Sequence, residues 1–181
     1  MLRSYWKKNK IDVVYMQEDL NMPFIYFPRD LKFPNTLQLE ENLYRVEEPF
    51  VYIDMAYGYT ILVPPNFQTD YGSVPRAFWN IIPPQGILSG AYILHDWLYA
   101  TELIPRAEAD WIFLCAMKEL GASWLKRNTI YSAVRSCGWS VWQGHTQKSI
   151  TTNRAFLNTF LSNKEALEYF NITLFAEKTL K

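Results

Sequence analysis

The stretch that decides the fold runs from Thr69 to Tyr99: it opens T-D-Y-G-S-V-P (69–75) and closes A-Y-I-L-H-D-W-L-Y (91–99). Upstream of it the chain reads as strand. Leu43–Val46 (L-Y-R-V) and Phe50–Met55 (F-V-Y-I-D-M) are followed by A-Y-G-Y and then by T-I-L-V-P-P. Gly58 between two aromatic and β-branched runs predicts a hairpin. Asn66 to Ser73 has no helical period and is rich in residues that bend or bond local backbone, which predicts a structured loop. Ser73 and Pro75 mark the entry to a short helix over 76–82, with proline in its first turn.

Three longer helices are predicted next, over 87–101, 106–120 and 123–143, separated by Ile104-Pro105 and by Gly121. Before them, from Met1 to Asn42, Pro23, Pro28 and Pro34 interrupt short aromatic pieces, so that region reads as an arm or edge strands. After them, 147–153 is polar, and 155–160 and 164–175 are partly amphipathic, giving packing helices or an arm that docks on a partner. The fold class is α+β. A small antiparallel sheet from the first third packs against a bundle of three to four helices. One domain spans 1–181: an arm over 1–42, a core over 43–146 and a tail over 147–181.

The first long helix contains an oddity. His95 and Asp96 are adjacent in a segment with no clearly polar face, so the helix should be central and both groups should point into protein. An ionisable group buried among apolar neighbours needs a hydrogen bond, a counter-charge or a metal. At 100° per residue, Asp110 is the inward acid of the second helix, whereas Glu108 and Glu119 face solvent. In the third helix, Arg135 shares a stripe with Trp124, Asn128, Tyr131, Gly138, Trp139 and Trp142, and there it requires a carboxylate or an aromatic stack. Asp70, Ser73, His95, Asp96, Asp110 and Arg135 thus form a candidate cluster.

That cluster supports several readings. As architecture, it is a buried network in which Asp70 caps local amides and Asp110 neutralises Arg106 or Arg135. As a metal centre, His95 with Asp70, Asp96 and Asp110 makes an oxygen-rich set suited to magnesium, manganese or calcium, which would activate water for hydrolysis. As a nucleophile, Ser73 would pair with His95 and an acid, although S-V-P lacks a glycine-flanked elbow and Ser73 reads better as the cap of the Pro75 helix.

Composition narrows the partners. Basic and acidic residues balance at 18 each, so no global field draws the chain to nucleic acid. Arg3, Lys7, Lys8 and Lys10 read as a solvated terminus. Aromatics reach 17% with seven Trp, which fits either an aromatic core or a broad contact surface. Cys115 and Cys137 lack metal or redox spacing and read as buried, reduced residues. No run of about 18 apolar residues spans a membrane, and the N-terminus lacks the apolar run of a secretory signal.

The order V-P-x-x-F-x-T-D-x-x-S-V-P, A-x-x-x-H-D-x-L-Y and R-x-x-A-D, from Val63 to Asp110, resembles the phage and prophage family catalogued as domain of unknown function 1353. Y-x-A-V-R-x-x-G (131–138) is similar to that family's last helix. The resemblance implies a viral or prophage source and signature residues Thr69, Asp70, Ser73, Pro75, His95, Asp96, Tyr99 and Asp110. It supplies no reaction. The expectation is therefore a phage-encoded accessory or virion-associated protein, of tail or baseplate, in the host cytoplasm or the particle. It would bind phage structural proteins or itself, with the His/Asp cluster as structural centre. The alternative is a small metal-dependent hydrolase.

Overall fold

The computed structural model describes residues 23–27, 33–54, 57–71 and 86–170. The short helix expected over 76–82, Ser73 and Pro75, the arm before residue 23 and the tail beyond 170 lie outside the described residues.

Six short strands come first: β1 (Phe24–Tyr26), β2 (Thr36–Glu40), β3 (Leu43–Val46), β4 (Phe50–Asp54), β5 (Tyr59–Val63) and β6 (Gln68–Thr69). They form two antiparallel sheets where one was expected, β1-β4-β5 and β2-β3-β6. The hairpin of β4 and β5 pairs Phe50 with Val63 and Asp54 with Tyr59, and Gly58 supplies the left-handed φ of 74° that its turn requires. Asp54 ties the same turn, accepting from the Tyr57 amide at 3.1 Å and the Tyr52 hydroxyl at 3.2 Å. Every residue of β4 is buried, as befits a central strand covered on both faces.

β2 and β3 pair with each other, and the stretch after Pro65, not all loop, adds the third strand of that sheet. Gln68 and Thr69 pair with Arg45 and Tyr44. A two-residue strand carries no readable alternation, so nothing in the local sequence announces it. Its role is positional: it fixes Thr69 and Asp70 at the edge of the helical half.

Helices α1 (Ser89–Thr101), α2 (Arg106–Glu119), α3 (Trp124–Gly144), α4 (Gln147–Leu161) and α5 (Lys164–Tyr169) follow. The first three agree with the predicted ranges to within two residues. α1 is buried almost all the way round, with Trp97, Leu94, Ile93 and Leu98 fully enclosed, and it is the centre of the bundle. It packs on α2 and α4, and α3 packs on α2. α4 begins at Gln147, well before the amphipathic run from 155. Thr146 and Ser149 form a capping box there, each hydroxyl meeting the other residue's amide at 3.1 Å. A serine at the third helical position replaces the usual Glu or Gln, so the polar run 147–153 hid a helix start.

α1 ends on Glu102 in the left-handed region, with φ at 46°. Its open carbonyls are met from α4: Asn153 donates to Ala100 O at 2.9 Å, and Arg154 donates to Thr101 O at 2.7 Å and to Glu102 O. A guanidinium at a helix C-terminus satisfies orphan acceptors and complements the dipole. Among the described residues no helix is long and apolar enough to cross a membrane.

Candidate functional site

Asp110 is the hub. It is fully buried on α2, yet it accepts from groups on two other helices: the Tyr99 hydroxyl at 2.7 Å and His95 Nε2 at 2.9 Å from α1, and Arg135 Nη1 at 2.5 Å from α3. Arg106, one turn earlier on α2, stands 3.6 Å away. Burial alone would push the Asp110 carboxyl up. The hydrogen bonds from His95, Arg135 and Tyr99 outweigh it and hold the carboxyl below its ordinary value.

His95 is 7% exposed and sandwiched between rings, with centroids 4.2 Å from Tyr99 and 4.6 Å from Phe113. Burial pulls its pKa down, against the upward pull of Asp110, so the imidazole is neutral at neutral pH. Asp110 is ionised there and can only accept, so the ring proton sits on Nε2. Nδ1 is then the acceptor nitrogen of the ring.

His95 borders a cavity of about 930 Å³ between α3 and α4, floored by α1 and walled by the β6 loop. His95, Asp96, Tyr92 and Tyr99 line it from α1, Thr69 and Asp70 from β6, and Val134, Val141 and Phe156 from the flanking helices. Asp96 is half-buried and accepts a hydrogen bond from the Thr69 hydroxyl, which also takes the Tyr71 amide at 3.0 Å. That contact holds the loop on α1, with Tyr71 in a left-handed conformation at φ 60° and its ring against Tyr44.

The cluster expected from sequence is therefore split into two layers. Asp110 and Arg135 lie beneath, paired with each other; Asp70, His95 and Asp96 line the cavity above; Ser73 lies outside the described residues. The metal set of His95, Asp70, Asp96 and Asp110 is not assembled. Among the described residues no group of three or more His, Cys, Asp or Glu side chains is placed to hold a metal ion. The reason is chemical: Asp110 spends its oxygens on a guanidinium, a phenol and the imidazole, and its counter-charge is already present.

Two further expectations change. The stripe through Trp124 and Trp139 does not face inward, for these rings are 67% and 58% exposed. Arg135 reaches Asp110 from the edge of that face, while the cavity side of α3 is Ile130, Val134, Cys137 and Val141. Those four recur at intervals of four, three and four, a helical apolar seam legible in the sequence but phased away from Arg135. Cys137, expected to be buried, is exposed on that wall, whereas Cys115 is half-buried with its thiol pushed up to about 11 by burial. Gly138 was missed as a packing residue. A Cβ there would lie 2.6 Å from the Tyr99 hydroxyl oxygen, so α3 comes this close to α1 only over glycine.

A family model described as "Protein of unknown function (DUF1353)" matches residues 44–134, half of the chain. The match runs from β3 into α3 and takes in Thr69, Asp70, His95, Asp96, Tyr99 and Asp110. No curated protein and no solved structure matches the chain.

Proposed function

The chain belongs to the DUF1353 family, and from that premise we propose that it is a phage or prophage accessory protein that holds a segment of a partner protein in the cleft between α3 and α4. The observation that carries this reading is the cavity itself. About 930 Å³ of mostly apolar space stands open above the Asp110–Arg135 ion pair. A pocket of that size with few polar groups is the ordinary form of a binding site. The Asp110 network acts as the rigid base that fixes α1, α2 and α3 relative to one another, so the cleft keeps its shape before the partner arrives. A tail or baseplate component is the source that the sequence resemblance implies, and apolar walls suit a segment of protein.

Val141→Trp tests this. Val141 is half-exposed on the cleft wall, so an indole there fills the cleft with little effect on the core. Particles would be purified from a phage encoding each version and the protein quantified by mass spectrometry. Wild type is expected in the particles, and the variant reduced about tenfold or more. Equal incorporation of a folded variant, or absence of the wild type from particles, sinks the reading.

A further inference from the structure

We infer that Arg106 and Arg135, at the seam of α2 and α3 and outside the cleft, form an anion site that takes one carboxylate from an acidic residue of a protein partner. Both arginines face the same oxygen of Asp110: Nη1 of Arg135 lies 2.5 Å and Nη1 of Arg106 3.6 Å from Oδ2. The other oxygen, Oδ1, accepts from His95 and Tyr99, which are uncharged at neutral pH. Two guanidiniums therefore share one carboxylate, and the group keeps one positive charge. Among the described residues no second acid lies within ion-pair distance of either arginine. Glu102 and Glu108, the acids that flank Arg106 in sequence, meet His145 and the Tyr59 hydroxyl instead. α3 and α4 cannot supply one, because the chain has no Asp or Glu from Leu120 to Lys164.

Exposure and neighbours define the ligand. The Arg135 side chain is 35% exposed and that of Arg106 18%, so both are held by the fold and still reach solvent. Arg106 Nη1 is braced further by the Arg135 carbonyl at 3.5 Å. Guanidiniums positioned in advance suit the planar, two-oxygen face of a carboxylate. One surplus charge matches a monoanion, whereas a phosphate monoester would bring about −1.5 to −2. α3 holds no Lys or Arg besides Arg135 between Asn128 and Gly144, so there is no row of cations to follow a nucleic-acid backbone. Tyr131 and Trp139 stand four residues to either side of Arg135 and share its face of the helix. Tyr131 is half-buried and Trp139 is exposed. Aromatic rings beside arginine are the composition of protein contact surfaces, and here they call for an apolar residue next to the acidic one.

The test uses the full chain and four probes: the capped dipeptide acetyl-Phe-Glu-amide, its neutral twin acetyl-Phe-Gln-amide, the same scaffold with phosphoserine in place of glutamate, and acetate. Binding is followed in low salt near neutral pH through the NMR signals of the arginine side chains and the Trp indoles. The glutamate peptide is expected to move the signals of Arg106, Arg135 and Trp139 and to bind about tenfold tighter than the other three. Arg106→Gln removes the surplus charge and keeps the Asp110–Arg135 pair, so the preference should vanish. Ser132→Glu, at an exposed position one turn before Arg135, should fill the site from within the chain and abolish binding, while Ser132→Gln leaves it intact. Circular dichroism checks the fold of each variant, and the Ser132 pair decides the matter if Arg106→Gln does not fold. Val141→Trp, in the cleft, should change nothing. Equal binding of the glutamate and glutamine peptides, or no binding, overturns the site. A preference that survives Ser132→Glu or a folded Arg106→Gln, or is lost in Val141→Trp, overturns its assignment to these arginines. Tightest binding of the phosphoserine peptide, or acetate as tight as the glutamate peptide, overturns the choice of ligand.

Discussion

Replacing Asp110 by Ala removes the one acceptor shared by three helices, and its cost can be worked from the contacts. Arg135 loses its partner at 2.5 Å and Arg106 its neighbour at 3.6 Å, while His95 Nε2 and the Tyr99 hydroxyl lose an acceptor at 2.9 and 2.7 Å. Breaking a buried ion pair from one side costs about 3–5 kcal/mol. Arg135 is 35% exposed and can regain water, so its share must be discounted for screening. The two neutral donors add about 1 kcal/mol each where they stay dry. The total is about 3–5 kcal/mol, or roughly 6–20 °C in Tm for a chain of this size. Urea unfolding followed by circular dichroism and Trp fluorescence measures it. Asp110→Asn should recover little, because an amide that still accepts from Tyr99 and His95 turns its NH2 toward Arg135. Adding Arg135→Ala to Asp110→Ala should cost less than the two changes summed, since the stranded cation is gone. A loss below about 1 kcal/mol, the scale of a surface pair, would refute the hub.

Other outcomes follow from the same contacts. His95 has a folded pKa below its unfolded value near 6.5, so the unfolded chain binds the proton first as pH falls. Stability should therefore decline from about pH 6.5 downward until the folded pKa is passed, and His95→Phe should remove that slope from denaturation curves taken across this range. Asp110, with its folded pKa depressed, contributes stability that is present above the unfolded carboxylate pKa and lost as pH falls through the folded one, so a second loss belongs to stronger acid. Gly138→Ala should cost about 1–3 kcal/mol in thermal unfolding, because its methyl must displace the Tyr99 hydroxyl from Asp110. Arg154→Ala should cost about 1–2 kcal/mol and raise amide exchange at the end of α1, whose carbonyls it meets.

The sequence was most informative where a residue's period coincides with its burial. The β4–β5 hairpin and the three central helices follow from alternation, helical period and Pro or Gly punctuation. Asp110 was placed inward by phase alone, against Glu108 and Glu119 on the same helix. What escaped depends on contacts between distant segments. β6 is too short to show alternation and exists only because β3 offers it an edge. The start of α4 rests on a serine doing the work of a glutamate. In α3, Arg135 does find its carboxylate, but the Trp124 and Trp139 part of its stripe turns outward. The cavity wall of α3 is the smaller stripe Ile130, Val134, Cys137 and Val141, and Gly138 within the helix was the available hint of close approach. His95 and Asp96 were noticed as a pair, but adjacent helical residues point about 100° apart. Their division, one side chain bonded down to Asp110 and the other bonded across to Thr69, follows from that rotation.

α3 leans on α2, and α4 leans on α1. The two walls of the cleft are thus two levers hung from different bars, joined at their near ends by His145 and Thr146. Anything wedged between them exerts a torque, and on the α3 side that torque is resisted by Arg135 pulling on Asp110. The stiffness of the jaw is therefore set underneath it, by the pair that also closes the core, and loosening that pair should widen the mouth before it unfolds the chain.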